Sequence, residues 1–153
     1  MQLSLYNDYR LGVIRGDEIV DVMEAIEDVT FHSPQHMMQM LIIRWSDLKS
    51  KIEQVSGRNP GTALSEVRLR APLPRPGQIV CLAGNYLEPA YPKVEAFNAF
   101  IKSSSAVIGC GDTVELPESE AKVFHFEPEL SVVIGKSASR ISKSNAMEHV
   151  FGY

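Results

Sequence analysis

The segment Ala71-Pro72-Leu73-Pro74-Arg75-Pro76-Gly77 restricts the fold more than any other stretch of the chain. A proline at every second position fixes φ, removes the backbone N–H and pushes the preceding residue into an extended conformation. Neither a helix nor a central strand can run through it, so a stiff extended connector is expected. It divides the 153 residues near position 71. That length suffices for one ordinary core or two small ones, and the connector favours two: 1–70 as a small N-terminal domain and 71–153 as a second.

Before the connector, Leu3 and Leu5 alternate with polar neighbours, and Asn7-Asp8 has turn chemistry. Leu11–Arg15 resumes an extended apolar pattern, and Gly16-Asp17 turns the chain into Glu18–Val22. These are the marks of a small β-meander. Ser33 followed by Pro34 predicts a capped helix start for a run to Trp45. That run carries Met37, Met38, Met40, Leu41, Ile42 and Ile43, read as core packing. A second helix is expected from Asp47 to Val55, with Leu48, Ile52 and Val55 on one face, ended by Gly57–Gly61. Glu66–Arg70 reads as a strand.

The second half is expected to hold more strand. Ile79–Ala83 is an apolar run ended by Gly84, and Pro92–Lys102 reads as a short helix. Gly109–Asp112 is a turn, Thr113–Leu116 a strand, and Phe124–Ile134 the longest strand candidate. Ser142 or Ser144 can cap a last helix through Val150. The fold class is therefore α+β, mixed β with few helices.

The chemistry concentrates in Phe124-His125-Phe126-Glu127-Pro128-Glu129-Leu130. On a strand, residues of period two share a face, which puts His125, Glu127 and Glu129 on one side. Val132-Val133-Ile134 follows as a run buried on both faces. Two carboxylates at the edge of a buried run repel each other and lose solvation. A hard divalent cation, Mg²⁺, Mn²⁺ or Ca²⁺, cancels both penalties. The spacing alone is equally compatible with a solvated strand face.

The net charge is −4, and the 15 basic residues are dispersed, which offers nothing to nucleic acid or an anionic membrane. Cys81 and Cys110 lack metal-site spacing and are expected as buried thiols in a reducing compartment. The N-terminus has no signal-peptide pattern and no stretch reaches the length of a membrane span, so a cytoplasmic protein is expected.

The order of segments adds more. Pro72–Cys81 is followed by Gly84-Asn85-Tyr86, Phe100–Ser105, Gly109–Asp112, Val114–Pro117, His125–Lys136 and Val150-Phe151-Gly152-Tyr153. This succession, close over 71–153, resembles the fumarylacetoacetate hydrolase family, which includes acylpyruvate hydrolases, oxaloacetate decarboxylases and diene-dioate isomerases. The meander resembles the variable N-terminal domain of many members.

The resemblance implies a mixed β-roll catalytic domain with Mg²⁺ or Mn²⁺ on a Glu-x-Glu pair, here Glu127 and Glu129, and an Asp from a later strand. The cation would chelate a 2-oxo acid and stabilise the enolate formed as a C–C bond breaks. Asn85 and Tyr86 match the substrate-binding segment. Lys102 matches the lysine of the Phe-x-Lys segment and is expected to support catalysis near the substrate, and His125 is expected to be structural or supporting rather than a metal ligand. Pro89 stands where many members carry a histidine base. Proline cannot transfer a proton, so Glu88 becomes the candidate substitute and hydrolysis is in question beside decarboxylation and isomerisation. The resemblance also implies strands beyond Tyr153, so 71–153 is expected to be the first part of the β-roll. That part would belong to a fragment, a naturally truncated relative or a subunit completed by another chain, and a homo-oligomer is expected. The rival reading is a catalytically inactive binding or assembly subunit.

Overall fold

The computed structural model describes residues 1–87, 93 and 97–153. Its main sheet is antiparallel throughout. Strands β1 (Gln2–Tyr6), β2 (Arg10–Arg15) and β3 (Glu18–Asp21) form the meander, and β4 (Gly61–Ala63) and β5 (Leu69–Arg70) flank it in the order β4-β3-β2-β1-β5. The turns close tightly. Asn7, Tyr9 and Gly16 all adopt positive φ, and Gly12 must lack a side chain because a Cβ there would meet Ile19.

Two helices cover this sheet. In α1 (Pro34–Ile43) the Ser33 hydroxyl accepts the His36 N–H at 3.1 Å, and proline opens the first turn. The second helix, α2 (Trp45–Arg58), starts directly after Arg44, two residues before its expected start, and runs three residues past its expected end. Gly57 lies inside it rather than ending it. Leu41, Leu48 and Ile52 are fully buried, and they join one cluster with Leu5, Leu11, Val22, Ile26 and Met37. Polar ties fasten the rim. Burial pushes the Asp21 carboxyl up, but the Arg10 guanidinium, the Tyr6 hydroxyl and the Met23 N–H outweigh burial and hold it below the usual range.

Beyond the connector the elements are shorter. A two-stranded ribbon pairs β6 (Ile79–Leu82) with β7 (Ala99–Lys102), and a second pairs β8 (Val133–Ile134) with β9 (Val150–Gly152). Leu73 and Phe151 pack on the N-terminal core, and Trp45 meets Phe151 edge to face at 5.1 Å between ring centroids. Arg68 pairs with Asp112 at 2.6 Å, and the Arg75 N–H donates to Gln35 at 2.9 Å.

Several expectations fail here. Residues 99–102 form a strand, not the end of a helix, because Ala99 to Lys102 pair residue by residue with β6. Of Phe124–Ile134 only Val133 and Ile134 are strand, since only these two find a neighbour, in β9. Val132 and Ile134 are exposed rather than buried on both faces. Thr113–Leu116 is not a strand, and Glu66–Arg70 shrinks to two paired residues after a 3₁₀ turn at Leu64–Glu66. The last helix is a 3₁₀ segment, Lys143–His149, beginning after Ser142. Both cysteines are free thiols, with Cys81 buried but Cys110 exposed.

The two halves bury their side chains very unequally. Among the described residues after 71, Cys81 is the one buried hydrophobic side chain, while Phe97, Ile101, Phe126 and Leu130 stand in solvent. The accessible surface is 11377 Å² for 17.0 kDa, whereas compact monomers of that mass expose about 7,700 Å². Apolar surface on this scale marks a face to be covered. Light scattering across a concentration series is expected to give masses above that of one chain; a monodisperse monomer at every concentration would show that the face stays bare.

The same contrast sets the cost of truncation. Ile52→Ala, at the buried centre, is expected to lose about 2–4 kcal/mol in denaturant unfolding. Ile101→Ala, on the exposed ribbon, is expected to change stability by less than about 0.5 kcal/mol.

Candidate active site

The β6 strand ends at Leu82 and is turned by Gly84, whose φ of +65° is the left-handed conformation that side chains resist. That turn brings Asn85 and Tyr86 back beside the neighbouring strand. Pairing of Leu82 with Ala99 then sets Asn98 next to Ala83, whose N–H donates to the Asn98 carbonyl at 2.9 Å. Opposite lies the stretch 121–132, which carries no helix or strand. It is held near this turn by the Leu130 N–H, which donates to the Tyr86 hydroxyl at 3.3 Å.

These segments border an open hollow of about 820 Å³. Its polar wall is formed by Asn85, Tyr86, Asn98, His125, Glu127 and Glu129, and its apolar wall includes Leu82, Leu87, Phe100 and Phe126. Both glutamates thus border one hollow although no strand periodicity puts them there. Among the described residues the wall contains no lysine or arginine. Two unneutralised carboxylates in one hollow favour a cation as their companion.

Two hard oxygen donors fit Mg²⁺ or Mn²⁺, which hold several waters or substrate oxygens alongside one or two carboxylates. Among the described residues no group of three or more His, Cys, Asp or Glu side chains converges as a metal cluster. A cation held by this pair would take its remaining ligands from water or substrate oxygens.

Of the residues singled out from sequence, the structure brings Asn85, Tyr86, His125, Glu127 and Glu129 to the cavity. It does not bring Lys102, which stands exposed at the end of β7 with its amine 5.8 Å from the Phe100 ring centroid. Glu88 and Pro89 lie outside the described residues. Asn98 and Phe100 line the cavity without having been anticipated. The β-hairpin pairing that places them was hidden by reading their segment as helix. A smaller hollow of about 440 Å³ beside Arg68, Cys110 and Asp112 lacks a carboxylate pair. There the Gly109 N–H and the Arg68 guanidinium already engage Asp112 and hold its carboxyl below the usual range.

Residues 78–153, which contain every part of this cavity, match the family model described as fumarylacetoacetate (FAA) hydrolase C-terminal. This half of the chain belongs to the fumarylacetoacetate hydrolase family. A maleylpyruvate hydrolase of Aquipseudomonas alcaligenes is 29% identical over 170 residues, covering 100% of this chain and 59% of that relative. An oxaloacetate tautomerase of Bacillus subtilis is 43% identical over 103 residues, covering 60% of this chain and 33% of the relative. The crystal structure of maleylpyruvate hydrolase from Sphingobium sp. SYK-6, in complex with manganese(II) and pyruvate, superposes with a TM-score of 0.82 at 33% identity. The match covers 100% of this chain and 56% of that one. The chain thus spans about half the length of the relatives it matches. Relatives in this family are hydrolases and tautomerases acting on oxo acids, which does not favour an inactive assembly subunit.

Proposed function

We propose that this chain carries part of the active site of a metal-dependent enzyme acting on a 2-oxo or enol carboxylic acid, with Glu127 and Glu129 holding Mg²⁺ or Mn²⁺. The observation that carries the reading is that both glutamates line one cavity with Asn85 and Asn98, inside the segment that matches the family. When bound, the cation supplies Lewis-acid stabilisation of a developing enolate.

The chain's own groups complete the division of labour. The paired carboxylates concentrate negative charge and draw the cation to one wall. The Asn85 and Asn98 amides offer uncharged N–H donors, able to orient substrate oxygens without competing for the cation. The apolar wall, with Leu82 and Phe100, offers a surface for the carbon chain of the substrate. Pro89 offers no transferable proton, which removes a base for activating an attacking water at that position. Proton movement between carbon and oxygen of the substrate is the alternative we favour, with its base at another residue. The tautomerase relative supports that choice.

Two outcomes test the reading. Titration calorimetry is expected to detect weak Mn²⁺ binding that Glu127→Gln or Glu129→Gln abolishes; unchanged binding in the double variant sinks the metal assignment. In a Mn²⁺-containing assay the chain is expected to give no measurable cleavage of an acylpyruvate. Robust cleavage lost in Glu129→Ala would instead call for a base such as Glu88 and return hydrolysis to first place.

A further inference from the structure

We infer that Tyr86 is a positioning residue for the metal carboxylates, acting through the backbone of Leu130 rather than through the substrate. The inference rests on the reading of Glu127 and Glu129 as ligands. Residues 122–132 have no helix or strand, so no backbone ladder fixes where the two glutamates point. Among the described residues, one hydrogen bond ties this stretch to another part of the chain: Leu130 N–H to the Tyr86 hydroxyl, at 3.3 Å. Leu130 follows Glu129 directly, so the tether grips the peptide next to the second carboxylate. From there the chain enters β8, where Gly135 packs against Phe151 and Phe151 against Trp45. The limb is thus pinned at its far end by the β8–β9 ribbon and, four residues before Ile134, by the tyrosine.

The tyrosine itself follows a defined turn. Gly84 turns the chain at positive φ only two residues earlier, separated from the paired strand β6 by Ala83. A rigid aromatic ring extends from that turn and presents one oxygen at its tip. Without this anchor the cation would have to order the limb as it binds, which costs conformational entropy and weakens binding. Chelation by two carboxylates on one flexible segment is sensitive to that cost, whereas a substrate-contact role for Tyr86 would leave the affinity for the bare cation unchanged.

The test uses Mn²⁺ alone as the probe, read by the loss of the free-ion electron paramagnetic resonance signal, on the intact chain and on Tyr86→Phe. Removing one net hydrogen bond is expected to raise the Mn²⁺ dissociation constant about fivefold. The thermal midpoint should stay unchanged, because Tyr86 is half exposed and packs in no core. Amide exchange provides a second readout: the Leu130 N–H should exchange faster in Tyr86→Phe while the core amides of Leu48 and Ile52 keep their rates. If the parent chain binds Mn²⁺ and Tyr86→Phe binds it equally well, the positioning role is overturned and the metal assignment stands. If the parent chain binds no Mn²⁺, the metal assignment falls and this role falls with it.

Discussion

Everything in this molecule hangs from the packing of α1 and α2 on the five-stranded sheet. Leu41, Leu48 and Ile52 from the helices close against Leu5, Leu11 and Val13 from the strands, and all are buried. Burying each such side chain contributes about 1.5–3 kcal/mol, and the cluster contains more than ten of them. The ribbon and loops after the connector have no comparable resource. They borrow order from the N-terminal unit through Leu73, Trp45 against Phe151, Arg68 to Asp112 and Gln35 to Arg75. The segment that carries the candidate chemistry is therefore positioned by the segment that carries the stability.

What could be read in the sequence follows the same division. The meander, the Ser33 cap and the apolar face of α2 are local patterns, and local patterns suffice when the element buries its face nearby. The β4 strand was hidden because Gly61 reads as a terminator, yet its pairing partner, Val20, sits in a strand some forty residues earlier. The segment 99–102 reads as helix from composition and becomes strand by pairing with β6. Phe124–Leu130 shows perfect alternation and forms no strand, because alternation describes a face and a strand also needs a neighbour.

The candidate site was legible for a different reason. Asn85, Tyr86, Glu127 and Glu129 stood out through residue type and order, and the cavity gathers all four. The geometry that gathers them was not the one expected, since a loop held at Leu130 does what a shared strand face was expected to do. Asn98 escaped notice because an asparagine just before a misread strand carries no local signal.

Gly135 brings out a consequence of how closely the ribbon is seated. A Cβ at that position would lie 2.9 Å from the Phe151 side chain, so any larger residue must displace the ring that reaches Trp45. A side chain added at 135 is therefore felt at Phe151 and, through its ring, at Trp45. The contact thus runs from the end of the glutamate-bearing limb through one ring to the first residue of α2.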